Sequence, residues 1–173
     1  MNYFYPDIYQ KSIYTINYNK LLDNGIKCLL FDLDNTIIPY IEKKPTKELK
    51  EHFDKLKDMG FKLIIFSNSG KERLEPFKRY LNVDCSAKSR KPFKGKFLKV
   101  LKKYNYSLSE VAIIGDQLVT DIYGGNKVGI TTILVNPISN IDMPFTKIHR
   151  FIEKKKIKKM TKQGIFKTGE YYD

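Results

Sequence analysis

The segment Asp32-Leu33-Asp34-Asn35-Thr36 places two carboxylates one residue apart, directly after the apolar run KCLLF at 27–31. Such a pair can divide labour in phosphoryl transfer: one carboxylate attacks phosphorus while the other handles the proton of the leaving oxygen. Taken alone, the segment also fits a solvated turn. A second constellation, Phe66-Ser67-Asn68-Ser69-Gly70, combines hydroxyls with the free N–H groups of a helix start, a natural seat for phosphate. A plain Ser/Asn helix cap is the commoner reason for that pattern. The third is Gly115-Asp116-Gln117-Leu118-Val119-Thr120-Asp121, where a glycine permits close backbone approach and two acids offer oxygen ligands to a hard cation. Here too the bland alternative is a cap, with Asp116 leading a helix. Lys91, in Arg90-Lys91-Pro92, could neutralise charge on a transferring phosphoryl group. Lys88 is its rival, and among 32 Lys and Arg a surface role is the ordinary expectation for either.

These residues matter only if one scaffold gathers them. Residues 27–33, 62–67, 111–115 and 130–135 are nearly unbroken apolar runs and read as strands of a parallel sheet covered on both faces. A weaker strand is expected around 83–87. Helical patterns fill the gaps at 46–59, 71–81, 93–104 and 118–127; the first opens on Thr46 and closes before Gly60. Alternating strands and helices predict a three-layer, doubly wound α/β fold with right-handed crossovers. In such a sheet, ligands bind beyond the carboxyl ends of the strands. All four constellations fall at those ends, a coincidence far more specific than any one of them.

The 173 residues carry no repeat and no Gly/Ser-rich linker, so one domain over 1–173 is the economical reading. Apolar content of 42% excludes a disordered chain. Cys28 and Cys85, the two cysteines, suit a reduced, cytoplasmic protein better than a disulfide scaffold. No segment has the length and apolarity of a membrane span, and the start lacks a signal-peptide pattern. The net charge of +13 attracts polyanions without choosing among nucleic acid, anionic lipid and phosphorylated substrate. Two ends stand apart. Residues 1–20 hold five of the twelve tyrosines, and the C-terminal segment 147–173 is densely basic over 147–162, with Glu153 the one opposing charge there.

In order and spacing, the four motifs resemble the haloacid-dehalogenase (HAD) superfamily: DLDNT at 32–36, Ser67, Lys91, and GDQLVTD at 115–121. A closer resemblance, over most of the chain, is to the YqeG family of subclass IIIA phosphatases. It is carried by SIYTINYNKLLDNGIK at 12–27, RKP at 90–92 and GDQLVTDIYGGNKVGITTILVNP at 115–137. That family is related to phosphatidylglycerophosphate phosphatases. The resemblance implies Asp32 as nucleophile through an aspartyl-phosphate, Asp34 as general acid and base, and Ser67, Asn68 and Lys91 as phosphate-binding residues. It implies a Rossmann-like HAD core and Mg2+ held by Asp32, the Asp34 backbone, Asp116 and Asp121. The substrate implied is a lipid phosphate, dephosphorylated to phosphatidylglycerol.

Only residues 37–45 separate the first motif from the next helix, and 23 residues separate Ser67 from Lys91, so no cap domain fits. An uncapped site must exclude water with the bulk of its substrate or with a docking surface. The basic segment could hold the enzyme peripherally at the inner face of an anionic membrane, although charge runs are usually solvated helix faces. The N-terminal tyrosines could anchor at an interface or pack on the sheet. Two alternatives stay open. One is a phosphatase of nucleotides, nucleic-acid ends or phosphoproteins, disfavoured by the lack of aromatic–basic interleaving; the other is a non-catalytic module binding RNA or ribosomes, which the four intact acids at 32, 34, 116 and 121 disfavour.

Overall fold

The computed structural model describes residues 3–141 and 146–173, side chains at 146–148 excepted. Its centre is a six-stranded, all-parallel sheet: β1 (Ile8–Gln10), β2 (Cys28–Phe31), β3 (Lys62–Phe66), β4 (Asp84–Ser86), β5 (Val111–Gly115) and β6 (Thr131–Val135). The spatial order is β1-β6-β5-β2-β3-β4. β2 is central, pairing Phe31 with Ile65 of β3 on one side and with Ile114 of β5 on the other. The carboxyl ends of β2, β3 and β5 therefore lie side by side.

Strict alternation makes each apolar run serve two faces. Leu29, Phe31, Leu63, Ile65, Ala112 and Ile114 enter one core layer, beneath α2 (Lys47–Asp58) and α3 (Lys71–Leu81). Cys28, Leu30, Ile64, Phe66, Val111 and Ile113 enter the other, beneath α4 (Lys94–Tyr104) and α5 (Tyr123–Val128). Tilted aromatic pairs lock both layers: Phe31 on Phe53 at 4.9 Å and Phe66 on Phe97 at 4.5 Å between ring centroids. The helix expected over 46–59 is realised with Thr46 as its cap, the hydroxyl accepting from the Leu49 N–H at 3.2 Å.

Three elements differ from the sequence expectation. β1 forms an extra edge strand from the Tyr-rich start, burying Tyr9 in a third cluster with Leu118, Met160 and Phe166. A short helix, α1 (Tyr18–Asp23), follows it. The helix expected at 118–127 opens as a π turn over Leu118–Ile122 before α5 begins. The basic segment forms α6 (Thr146–Lys162), with Ile157 and Met160 turned to the third cluster while Phe151 and Ile152 face outward. The side chains of Lys147 and Ile148 lie outside the described residues. No described helix is long and apolar enough to cross a membrane.

Candidate active site

The chain leaves β2 at Asp32 and must turn back at once. Asn35 makes that turn in the left-handed region, φ 63°, which asparagine tolerates because its amide satisfies nearby backbone. Its Oδ1 accepts from the Tyr40 N–H at 3.0 Å and its Nδ2 donates to the Ile141 carbonyl at 2.9 Å. The reversal aims the Thr36 hydroxyl at Asp116 Oδ1, 3.0 Å away at the end of β5.

The turn after β5 brings its second acid back to the first. Asp121 N–H donates to the Gln117 carbonyl at 3.0 Å, and Asp121 Oδ2 accepts from the Gln117 N–H at 3.1 Å. The π turn supplies the extra width this needs, a use of π geometry common at functional sites. Gly115 lies so close beneath that a Cβ there would run into the Asp121 carboxylate.

Between these turns enters Lys91. Its Nζ donates to Asp32 Oδ1 and Asp121 Oδ1, each at 2.6 Å, and the side chain is buried. Asn68 aims it from behind: Asn68 Oδ1 accepts from the Lys91 N–H at 2.7 Å and Asn68 Nδ2 donates to the Lys91 carbonyl at 3.1 Å. Asn68, expected on the phosphate, thus spends its amide on the lysine's backbone. Lys88, the rival, is exposed. Ser67 is buried at the end of β3, its Oγ accepting from the Ser69 N–H at 3.1 Å.

Asp32, Asp116 and Asp121 present carboxylate oxygens within 4.8 Å of one another, all buried. Three carboxylates face the Lys91 ammonium and, on Asp116, the Arg150 guanidinium, which leaves the cluster one positive charge short. Burial pushes the Asp32 carboxyl up to about 8, Lys91 pulling it down and Asp121 and Asp116 pushing it further up. Asp116 rises to about 6, again chiefly by burial, with Arg150 opposing. Burial works against the Lys91 charge, but Asp121 and Asp32 outweigh it and hold the ammonium above its ordinary range. Asp32 and Lys91 thus shift the same way although paired, because burial, reinforced by its like-charged neighbours, outweighs the pull of Lys91 on Asp32. Hard oxygen donors in that number, at that spacing and with that charge deficit, fit a divalent cation.

Asp34 stands outside this cluster. Its Oδ2 accepts from Ser69 Oγ at 2.7 Å, and its Oδ1 accepts from Arg73 Nε at 3.0 Å and Nη2 at 2.8 Å. Arg73 also donates to the carbonyls of Tyr40 and Glu42, fastening the loop after β2. The sequence reading missed Arg73, and it missed Arg150 and Glu153 of α6. Arg150 donates to the Asp116 carboxylate and, at 3.1 Å, to its carbonyl. Glu153 accepts from Arg150 Nη1 at 3.1 Å and from the Val119 N–H at 3.2 Å. It is buried, which pushes its carboxyl up to about 7 against the pull of Arg150. Beside them lies a cavity of about 680 Å³, walled by Asp116, Leu118, Leu134, Ile157 and Phe166.

No helix or strand interrupts the chain between β2 and α2 or between β3 and α3, so no cap domain stands at either place.

Residues 1–139 match the family profile described as "Mitochondrial PGP phosphatase". The chain is 33% identical over 162 residues to "Probable phosphatase YqeG" of Bacillus subtilis, covering 94% of each. It is 28% identical over 155 residues to "Phosphatidylglycerophosphate phosphatase 1, chloroplastic/mitochondrial" of Arabidopsis thaliana, covering 81% of this chain but 43% of that one. Among solved structures, the 3-deoxy-D-manno-octulosonate 8-phosphate phosphatase of Moraxella catarrhalis, in complex with magnesium, phosphate and KDO, superposes with a TM-score of 0.56 at 18% identity. That match covers 70% of this chain and 75% of the other. The parallel sheet with its helices is the HAD fold, and the chain belongs to the PGP phosphatase family, as a phosphatase.

Proposed function

We propose that the protein is a magnesium-dependent phosphomonoester hydrolase that converts phosphatidylglycerophosphate to phosphatidylglycerol. The observation that carries the chemistry is the buried group of Asp32, Asp116 and Asp121 around Lys91 Nζ. The substrate rests on the matched family and on the name of the Arabidopsis relative.

Asp32 is the nucleophile. Its Oδ1 is held by Lys91, while its Oδ2 meets the Thr36 hydroxyl at 3.5 Å. A carboxylate oxygen of Asp32 forms a bond to phosphorus as the bond from phosphorus to the glycerol oxygen breaks. Asp34 gives that oxygen its proton, then takes one from the water that cleaves the aspartyl-phosphate, releasing inorganic phosphate and restoring Asp32. Ser69 and Arg73 position the Asp34 carboxylate for both transfers. Ser67 and Lys91 supply the hydroxyl and ammonium for the phosphoryl oxygens; Asn68 acts through Lys91. Asp32, Asp116 and Asp121 would hold Mg2+, which when bound lets two anions approach each other.

The test is phosphate release from phosphatidylglycerophosphate in mixed micelles by the full chain with Mg2+. Turnover lost with a chelator and in Asp32→Asn is the expected result. Faster hydrolysis of soluble sugar phosphates or nucleotides than of the lipid would overturn the substrate assignment.

A further inference from the structure

The loops around the site and the helix α6 carry the most exposed large apolar side chains among the described residues. In order these are Phe93 (69% exposed), Phe151 (59%), Ile41 (57%), Ile141 (53%) and Ile138 (48%). Scattered exposed hydrophobics are normal, and Tyr80, Leu98 and Leu108 elsewhere are of that kind. The leading five are different because each is fastened to the catalytic centre.

Ile41 lies between Tyr40 and Glu42, whose carbonyls accept from the Arg73 guanidinium that holds Asp34. Ile138 N–H donates to the Asn35 carbonyl at 2.9 Å, and the Ile141 carbonyl accepts from the Asn35 side chain at 2.9 Å. Phe93 follows Lys91 by two residues, and Phe151 adjoins Arg150, which donates to Asp116. Five apolar groups from four segments are therefore tied, through their own backbone or an adjoining residue, to the residues of one uncapped site. Exposed cations adjoin them: Lys43, Lys44, Arg90 and Lys94, against Glu42.

From this rim we infer an interfacial docking surface for an anionic lipid bilayer. Separate apolar points set among cations suit a planar, deformable surface, where each side chain enters the head-group boundary and each cation meets a lipid phosphate. Nucleic acid is the poorer partner, since three of the five are isoleucines with no ring to stack on a base. Docking on this rim turns the site toward the bilayer and lets the membrane replace the missing cap in excluding water. The inference deepens the lipid-phosphatase reading, and rests on it for the reason a membrane is met at all.

The experiment is co-sedimentation of the full chain with vesicles of phosphatidylcholine alone or mixed with phosphatidylglycerol, without substrate. Binding is expected to the mixed vesicles only, weakening with salt. The triple variant Ile41→Ser, Phe93→Ser, Phe151→Ser is expected to lower partitioning by about tenfold or more. Its hydrolysis of a soluble aryl phosphate stays at the wild-type rate, which shows that it folds. Vesicle binding that survives in the triple variant, or that is lost instead when Lys155, Lys158 and Lys159 of α6 become Ser, overturns the assignment. Lipid hydrolysis in micelles without vesicle binding sinks the docking surface and leaves the substrate reading standing; vesicle binding without lipid hydrolysis does the reverse.

Discussion

The centre around Asp32 and the helix α6 draw on the same kinds of charged side chain and use them in opposite ways. At the centre, the acids are buried and each charge meets partners from distant parts of the chain: Lys91 meets Asp32 and Asp121, and Asp116 meets Arg150 and Thr36. Along α6, Lys154, Lys155, Lys158, Lys159 and Lys162 stand exposed, while Arg150 and Glu153 turn inward and bond to the loop after β5. Charge density along a sequence therefore says little about function; what decides is whether a residue's partner arrives from a distant part of the chain. α6 also lies beyond residues 1–139, the part that matches the family profile, yet it touches Asp116.

The sharpest way to break this contrast is to neutralise charges at the centre. Asp32→Asn removes the nucleophile while keeping the shape, so aryl phosphate turnover should fall by at least about a thousandfold. A residual rate within tenfold of wild type would remove Asp32 from the reaction. Lys91→Met leaves three buried carboxylates without their ammonium. Removing one partner of a buried charge set costs about 3–5 kcal/mol, to be seen as a lower denaturant midpoint of the metal-free protein. Mg2+ should restore part of that loss. Gly115→Ala pushes Asp121 away, with an expected cost of about 1–3 kcal/mol and a weaker Mg2+ midpoint in a thermal-shift titration. Unchanged Mg2+ affinity in that variant would show that Asp121 lies outside the metal's reach.

Much of this architecture is readable from the chain because a sheet covered on both faces writes itself as unbroken apolar runs. The four strong runs became β2, β3, β5 and β6, and Asp32, Asp116 and Asp121 at their ends present carboxylate oxygens within 4.8 Å of one another, with Asp34 set apart. β1 escaped because three residues at a sheet edge have no local signal; only pairing with β6, more than a hundred residues away, makes them a strand. Arg73 escaped for the same reason, its partner Asp34 being reached across two helix–strand connections. The π turn was invisible because it is imposed by where Asp121 must return, not by the residues within it. Glu153 left one trace, a single acid in a lysine run, which reads equally well as a solvated charge.

Acidity tests the centre more gently. In the metal-free protein, burial raises Asp32 to about 8, Glu153 to about 7 and Asp116 to about 6. The folded state then holds protons that the unfolded chain has released. Stability from these groups is complete below their unfolded values and drains away as pH rises through 6 to 8. His52, lowered by burial, works in the opposite sense as one group against three. The melting temperature without metal should therefore fall by several degrees between pH 5 and 8. Saturating Mg2+, which binds the deprotonated acids, should flatten that decline. A metal-free melting temperature that holds level across this range would mean that the acids do not share the charge deficit described.

The smallest effects fall on α6, where two substitutions on one helix separate the two uses of charge. Glu153→Ala strips acceptors from the Val119 N–H and from Arg150 inside a buried contact, and unsatisfied buried donors cost about 1–3 kcal/mol. Because Val119 lies in the turn that carries Asp116 and Asp121, the loss should also lower Mg2+ affinity. Lys158→Ser, five residues on and exposed, removes a cation that meets water, and its stability change should stay within about 0.5 kcal/mol. Denaturant melts of both variants, with and without Mg2+, decide the matter. Equal losses would mean that α6 acts as one uniform charged surface. A loss confined to Glu153→Ala, and larger with metal than without, makes its first turns a working wall of the site.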